Sequence, residues 1–322
     1  MRILVALGGK AFVPHGAADS LQRANVEIAA NTLASLAIEH ELVVTHGSDP
    51  QIAAPGPPSE PGGRAVSPYP LDAIDRDSEG VIGYVLELGL RNALPGRDIV
   101  TLLTAFVVSS HDPAFLKPAR PVGPSYSAVQ ARELARERGW IMGPCNGGFR
   151  RLVPYLEPDA IVELRSLRLL IDAGVLVICA GGGVPVTVDA TGAMRDIEAL
   201  VDKDLAAGLL ARRLSADLLL LLTDVRAVHT DWGTERARPL RSTNPAELRQ
   251  MSFELETMAP KVEAACRFVE ATGRRAAIGA LADAAAIVRG EAGTQVTPAP
   301  ADGLGRGGER PVSVLWSQRV AT

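Results

Sequence analysis

Five short apolar runs recur along this chain, and they limit what it can fold into more than any other feature. The runs span residues 3–7, 42–45, 99–105, 175–180 and 218–223. Each run is almost continuously apolar instead of alternating, which is typical of parallel strands covered on both faces. Stretches with helical spacing, at 20–37, 128–138, 203–214 and 260–271, accompany them. This alternation predicts an α/β fold in which a parallel sheet lies between layers of helices.

Three segments break this rhythm. Residues 53–70 are rich in Pro, Gly and Ser, which predicts an exposed loop. Residues 109–160 combine proline-rich segments with a charged helix, and we expect them to form a subdomain inserted between two core strands. The tail from Pro298 onward has little helical or strand pattern.

Composition and charge exclude several classes of protein. The net charge is −4, so no excess of basic residues indicates nucleic-acid binding. No apolar run is long enough to span a membrane. The three cysteines are far apart and outside any metal-binding spacing, so neither a disulfide framework nor a zinc site is expected. No secretory signal precedes the first apolar run. We therefore expect a soluble, cytoplasmic protein.

Glycines follow three of the apolar runs. The turns are Gly8-Gly9-Lys10, the segment from His46 to Pro50, and Gly181-Gly182-Gly183. Ligands bind at the carboxyl ends of strands in an open α/β sheet, and glycine lets backbone N–H groups approach a phosphate closely. Neither GxxxxGK[ST] nor GxGxxG is present, so the pattern differs from the two familiar nucleotide motifs. The turns predict a phosphate-holding protein.

Two lysines lie in helical contexts, Lys203 between two aspartates and Lys261 in the segment MAPK. Phosphoryl transfer depends on positioning and on positive charge around the transferred group, which such lysines can supply. The alternative is that both are solvated helix lysines. Thr223, Asp224 and Val225 close the last apolar run and are candidates for contacts to a ribose or adenine. We interpret His46 as a structural residue that bonds the loop backbone.

Together these segments resemble the carbamate kinases of the amino acid kinase superfamily. The resemblance covers roughly residues 1–297 and rests on ordered motifs. They include ALGG, QRANV, YPLD, EGVIGY, LPGRD, DPAF, RPVGPSY, FRRLVP, VICAGGG, VDKDLA, LTDV, DWG, MAPKVEAA and LADAAAIVRGEAGT. The resemblance implies the amino acid kinase fold, a three-layer α/β/α sandwich with a mainly parallel sheet. It also implies reversible phosphoryl transfer between ATP and carbamate, often toward ATP in arginine or purine breakdown.

The resemblance further implies two lobes with the reaction between them. Residues 1–210 would hold carbamate or carbamoyl phosphate, and their inserted part at about 109–160 would act as a lid. Residues 211–300 would hold ATP or ADP with Mg²⁺, and 301–322 would be a tail. The family works as a homodimer, which makes a second copy of the chain the expected partner besides the small-molecule substrate.

The site residues follow by position in the family motifs. Lys203 and Lys261 would bridge the transferring phosphate, and Asp202 or Asp204 would orient a lysine or the metal, without an assigned metal ligand. Thr223, Asp224 and Val225, with Lys261, would form the nucleotide pocket. The substrate cradle would consist of Gly8, Gly9, Lys10, Gly47, Ser48, Asp49, Arg120, Gly181 and Gly182.

This cradle departs from the family pattern. Lys10 stands where the family usually has asparagine, and Ser48 and Asp49 replace an asparagine and a glycine. Arg120 stands in place of the lid lysine, and Ala259 in place of a glycine. A carboxylate at position 49 would repel a bound phosphate, and Lys10 would offset it if the two side chains pair. Two rival functions therefore stay open: phosphoryl transfer to another small acid, and nucleotide binding without turnover.

Overall fold

The computed structural model describes residues 1–8, 19–47, 71–145, 147–180, 184–254 and 257–299. The helices are α1 (Asp19–Glu39), α2 (Leu71–Ala93), α3 (Ala128–Arg138), α4 (Leu164–Asp172), α5 (Lys203–Arg213), α6 (Pro245–Leu248), α7 (Ala259–Thr272) and α8 (Ala284–Val288). Short 3-10 turns lie at Pro113–Phe115 and Leu281–Asp283. Within these residues, no helix has both the length and the apolar character needed to cross a membrane.

The strands fall into one large sheet and several small ones. In chain order they are β1 (Arg2–Leu7), β2 (Glu41–His46), β3 (Ile99–Leu102), β4 (Ala105–Val107), β5 (Arg120–Tyr126), β6 (Ile141–Cys145), β7 (Gly148–Val153), β8 (Tyr155–Leu156), β9 (Ala160–Ile161) and β10 (Leu176–Ala180). They continue with β11 (Val184–Val188), β12 (Met194–Asp196), β13 (Leu200–Val201), β14 (Leu218–Thr223), β15 (His229–Thr230), β16 (Arg238–Pro239), β17 (Ser242–Thr243), β18 (Arg275–Ala280) and β19 (Thr294–Val296).

The large sheet has eight strands in the order β17-β19-β18-β14-β1-β2-β10-β3. The six neighbouring strands from β18 to β3 are parallel, and β19 pairs antiparallel with β18. The sheet is therefore mainly parallel, as the continuous apolar runs predicted. Four of the five runs became single strands of this sheet.

Two helical layers cover the sheet. Side chains on one face of its strands join a buried cluster with α4, α5 and α7, and side chains on the other face join a cluster with α1, α2 and α8. Val5 and Leu220, for example, belong to the second cluster, while Leu4 and Leu219 belong to the first. The three-layer α/β/α sandwich inferred from the sequence is confirmed.

The prediction of one strand over 99–105 was wrong. The chain forms β3 in the large sheet and then β4 in a second sheet, of order β12-β11-β4-β9. Between them the Thr104 hydroxyl donates to the Leu102 carbonyl at 3.1 Å, and the Glu163 carboxylate accepts from the Ala105 amide at 2.8 Å. These contacts turn the chain out of the first sheet, which an apolar run alone does not reveal.

The segment 109–160 contains structure of its own. The antiparallel sheet β5-β7-β6 packs with α3, and α3 begins at the Ser127 cap, where a reciprocal capping box with Gln130 satisfies the helix end. The helix bounds agree with the sequence prediction. The loop predicted at 53–70 and the tail at 301–322 lie outside the described residues.

Helices α5 and α7 approach each other closely, and Gly208 lies at their contact. A Cβ atom built on Gly208 would lie 3.4 Å from both the Cβ atom and the carbonyl oxygen of Ala264. Small residues on both helices therefore set the distance between their axes. The first turns of these helices carry Lys203 and Lys261.

Replacing Phe268 tests the packing of this layer. Phe268 lies on α7 and is fully buried in the cluster shared with α5. Phe268→Ala removes a ring and leaves a cavity, so we expect the free energy of unfolding to fall by about 3–5 kcal/mol. Urea denaturation followed by circular dichroism measures this change. Leu116→Ala is the matched control: its side chain is 91% exposed, so a change above about 0.5 kcal/mol there would contradict the assignment.

Candidate active site

Helices α5 and α7 begin at the same edge of the large sheet. Each precedes a strand of the parallel set, β14 or β18, and runs back along it. The far ends confirm this direction: the Leu214 carbonyl, after α5, accepts from Arg2 at the start of β1 at 2.7 Å. Arg274, after α7, donates to the Ala216 carbonyl at 2.9 Å. The N-termini of both helices therefore lie toward the carboxyl ends of the strands, where the glycine turns were predicted to bind phosphate.

One carboxylate joins the two predicted catalytic lysines. Oδ1 of Asp204 lies 2.9 Å from Nζ of Lys203, and Oδ2 lies 3.1 Å from Nζ of Lys261. The Lys261 ammonium also donates to the Thr257 carbonyl at 3.3 Å. The side chains of Lys261 and Asp204 are 8% and 6% exposed, so Lys261 is not a solvated helix lysine. Lys203 keeps 27% of its side chain exposed.

The lysines are unusual in this chain. Only four of its 33 basic residues are lysines, at positions 10, 117, 203 and 261. Arginine supplies the ion pairs elsewhere on the described surface, such as Arg267 with Glu157 and Arg249 with Glu270. A compact ammonium group that can reach a transferred phosphate differs chemically from a planar guanidinium.

The pKa values of the three groups reflect their contacts. Burial alone would raise the pKa of Asp204, but the ammonium groups of Lys203 and Lys261 outweigh it and lower that pKa. Burial lowers the pKa of Lys261, and Asp204 offsets only part of this effect. Burial acts on Lys203 in the same direction, yet the nearby Asp204 raises its pKa above the ordinary value. Asp204 therefore keeps positive charge in place at this site.

Asp202 has a different role from Asp204. It is the N-cap of α5, and its Oδ1 atom accepts from the amides of Asp204 and Leu205, both at 2.9 Å. Burial and the neighbouring Asp204 raise the pKa of Asp202. Asp204 therefore contacts the two lysines, whereas Asp202 contacts the backbone at the start of the helix that carries one of them.

Arg120 contacts the aromatic ring of Tyr155. Its guanidinium carbon lies 5.0 Å from the centre of the Tyr155 ring, a cation–π contact. Burial, followed by the charge of Asp202, raises the pKa of the Tyr155 hydroxyl well above its usual value. Tyr155 had not been singled out in the sequence, because no motif or spacing distinguishes it from a core tyrosine.

The glycine turns leave adjacent strands. Gly8 follows β1 and donates to the Leu222 carbonyl of β14 at 2.9 Å, and Gly47 follows β2 and donates to the Leu7 carbonyl at 3.3 Å. A Cβ atom on Gly8 would lie 3.1 Å from that Leu222 oxygen, so glycine permits this close approach. Of the remaining predicted cradle residues, Gly9, Lys10, Ser48, Asp49, Gly181 and Gly182 lie outside the described residues.

His46 ends β2 beside these turns and is 1% exposed. Burial lowers its pKa to about 4, so the imidazole is neutral near pH 7. Its Nδ1 atom is buried without a hydrogen-bond partner among the described residues. The bond to the loop backbone that the sequence predicted for His46 stays a prediction.

The predicted nucleotide residues lie at the end of β14, next to Gly8. Thr223 is largely buried, and its hydroxyl donates to Oδ1 of the exposed Asp224 at 3.0 Å. Val225 is half-buried. Strand order places Thr223 between the ends of β18 and β1, so these three residues share an edge with the glycine turns.

A bound nucleotide would find few ready metal ligands here. Within the described ranges, no group of three or more His, Cys, Asp or Glu side chains is arranged to hold a metal ion. Asp204 contacts two ammonium groups, and Asp202 accepts from two backbone amides. These residues suit a Mg²⁺ ion that is held chiefly by phosphate oxygens, with at most one carboxylate.

The chain is similar to known proteins along most of its length. The model of the amino acid kinase family matches residues 96–280. A carbamate kinase from Rhizobium meliloti is 45% identical over 311 residues, which span 94% of this chain and 95% of that protein. One from Haemophilus influenzae is 38% identical over 304 residues, which span 92% and 97% of the two chains.

A solved structure extends the likeness to the whole fold. Carbamate kinase from Giardia lamblia bound to AMP-PNP superposes with a TM-score of 0.85 at 32% identity, covering 92% of this chain and 98% of that one. Identity at this level over nearly the full length of several relatives exceeds what a shared fold alone produces. The chain belongs to the amino acid kinase family and, within it, to the carbamate kinases.

Proposed function

We propose that the chain transfers a phosphoryl group reversibly between ATP and carbamate, giving ADP and carbamoyl phosphate. The observation that carries this proposal is the pair of lysines held on Asp204 at the N-termini of two helices. Two ammonium groups and two helix N-termini concentrate positive potential at one edge of the sheet, where glycine turns leave room for an anion. The names of the relatives and of the Giardia structure support carbamate as the acceptor.

In the direction of ATP synthesis, the bond between phosphorus and the carbamate oxygen breaks and a terminal oxygen of ADP bonds to phosphorus. Carbamate leaves as an anion, so the enzyme needs no general base for this step. Lys203 and Lys261 would stabilise the negative charge on the transferring group, and Asp204 would keep them apart at a fixed spacing. Asp202 would direct the α5 N-terminus at the same group.

We assign the nucleotide to residues 211–300 and the small acid to residues 1–210. Thr223, Asp224 and Val225 would contact the nucleotide, and Gly8 and Gly47 would border the phosphoryl group. When bound, Mg²⁺ would neutralise phosphate charge and align the oxygens for transfer. The subdomain at about 109–160 would act as a lid, since Arg120 at its base lies on the ring of Tyr155, whose strand pairs with the segment that enters α5. The three free cysteines favour a cytoplasmic location.

The direct test measures ATP formation from ADP and carbamoyl phosphate with Mg²⁺. Lys261→Ala should lower kcat by about a hundredfold or more, because a preorganised positive charge is lost from the transition state. Lys117→Ala, which removes an exposed lysine, should leave the rate within about twofold. If the native protein binds ADP but forms no ATP, the acceptor is another small acid or the site does not turn over.

The pH dependence of kcat tests the state of Lys261. The pKa of Lys261 is lowered from the ordinary value of 10.5, so its ammonium group loses its proton at a lower pH than an ordinary lysine does. The rate should therefore fall as the pH rises through this lowered pKa. Asp204 raises the pKa of Lys261, so Asp204→Asn should move this alkaline fall to still lower pH. Asp196→Asn, at a 58% exposed side chain, is the control. An unchanged alkaline limb in Asp204→Asn would contradict the role of the bridge.

We also propose that the protein is a homodimer and that α2 supplies part of the interface. Val81, Tyr84 and Leu88 are 54%, 65% and 47% exposed and share one face of this helix. The helix packs on β3, the outer strand of the large sheet. A second copy of the chain would cover these three side chains. Their exposure supports the homodimer that the resemblance implies.

Tyr84→Glu tests the interface by placing a charge within it. We expect the mass measured by light scattering to fall from that of two chains to that of one, 33.9 kDa, because an unpaired carboxylate is costly to bury. Leu116→Glu, on a 91% exposed residue outside the stripe, should leave the mass unchanged. A dimer that persists in Tyr84→Glu would place the interface elsewhere.

A further inference from the structure

Arg151 forms an ion pair between the inserted subdomain and the rest of the protein. It lies on β7, the middle strand of the sheet β5-β7-β6, opposite Val122 of β5 and Met142 of β6. Its Nη2 atom lies 2.5 Å from Oε2 of Glu198. Glu198 belongs to the segment between β12 and β13, outside the subdomain. The contact therefore joins the subdomain to the chain that leads into α5.

The guanidinium of Arg151 is held in place within the subdomain. Its central carbon atom lies 4.6 Å from the centre of the Trp140 ring, a cation–π contact. Trp140 lies between α3 and β6, and the guanidinium of Arg138 lies 5.2 Å from the same ring centre. The Arg151 side chain is 13% exposed. Because this side chain is already ordered, the ion pair costs less side-chain entropy than an ordinary surface pair.

Glu198 is anchored on the other side of the contact. It is the middle residue of a tight turn, in which the Ala199 amide donates to the Ile197 carbonyl at 2.9 Å. Ala199 is buried in the cluster that the large sheet forms with α4, α5 and α7, and Ile197 packs against that cluster. The Glu198 carboxylate therefore projects from a fixed part of the protein.

The ion pair lies beside a short backbone ladder at the exit from the subdomain. Strand β8 pairs in parallel with β13, and the Leu200 amide donates to the Pro154 carbonyl at 3.0 Å. Arg151 precedes Pro154 by three residues, and Glu198 precedes Leu200 by two. A rotation of the sheet β5-β7-β6 about this exit would therefore strain the ion pair and the ladder together.

We propose that Arg151 is a positioning residue, which through Glu198 fixes the angle of the subdomain over the small-acid site. This proposal rests on the proposed function, in which the subdomain acts as a lid. Loss of the ion pair would lower the fraction of molecules whose lid is in place, and the KM for the small acid would rise accordingly. The nucleotide is assigned to residues 211–300, so its KM would not change.

Steady-state kinetics of ATP formation test this role. Arg151→Gln removes the charge, so the KM for carbamoyl phosphate should rise about three- to fivefold, with the KM for ADP unchanged. Arg136→Gln is the matched control, because Arg136 lies in the same subdomain, is 78% exposed and pairs with the neighbouring Glu137. It should leave both KM values within about twofold, which separates the lid from a general loss of positive charge.

A double-substitution cycle tests whether Arg151 acts through Glu198. Glu198→Gln alone should raise the KM for carbamoyl phosphate as Arg151→Gln does, and the double variant should differ from either single variant by less than about twofold. Multiplied effects would overturn the proposal, as would Arg151→Gln kinetics equal to those of the native enzyme.

Hydrogen exchange supplies a readout that does not depend on turnover. The Leu200 amide, which donates to Pro154, should exchange faster in Arg151→Gln and in Glu198→Gln than in the native protein. The amides of β1, in the interior of the large sheet, should be unchanged. Unchanged exchange at Leu200 would overturn the positioning role even if the native protein forms no ATP. Faster exchange at Leu200, combined with a native protein that binds ADP but forms no ATP, would instead refute the proposed reaction alone.

Discussion

The arrangement of the site depends on one carboxylate placed between two ammonium groups. Asp204 is nearly inaccessible, as is Lys261, and neither charge would be stable at that depth without the other. Removing one partner from a buried pair of this kind typically costs about 3–5 kcal/mol, because the remaining charge stays buried and uncompensated. Helices α5 and α7 must therefore keep their first turns together. The Asp202 cap and the packing of the two helices serve that requirement.

Much of the fold could be predicted because its signals are local. A continuous apolar run such as 218–223 or a helical repeat such as 128–138 carries its own evidence, and the observed elements match both. The prediction of one strand over 99–105 was wrong because the break in it is not determined locally. Its break depends on the Glu163 carboxylate, which lies 58 residues along the chain from Ala105. Long-range hydrogen bonds of this kind leave no trace in a hydrophobic pattern.

The candidate site divides in the same way. Motif resemblance predicted Lys203, Lys261 and both aspartates as site residues, and the fold brings the two lysines together on Asp204. Strand order was sufficient to place Gly8, Gly47 and Thr223 at adjacent strand ends. The sequence could not distinguish Asp202 from Asp204, because the two differ only in where their oxygens point. It could not place Tyr155 near the start of α5 either, since its strand is brought beside that segment by a ladder of only two residue pairs. Side-chain direction and weak strand pairing are decided by the assembled fold.

The close contact at Gly208 links the packing of α5 and α7 to the positions of the lysines in their first turns. Gly208 and Ala264 lie close together, so α5 and α7 are closely spaced. This spacing brings the two ammonium groups within reach of one carboxylate. A wider residue at either position would spread the helices and open that bridge without altering a single charged side chain. A steric change about one helical turn away from the lysines would therefore weaken the proposed electrostatic stabilisation of the transferring group.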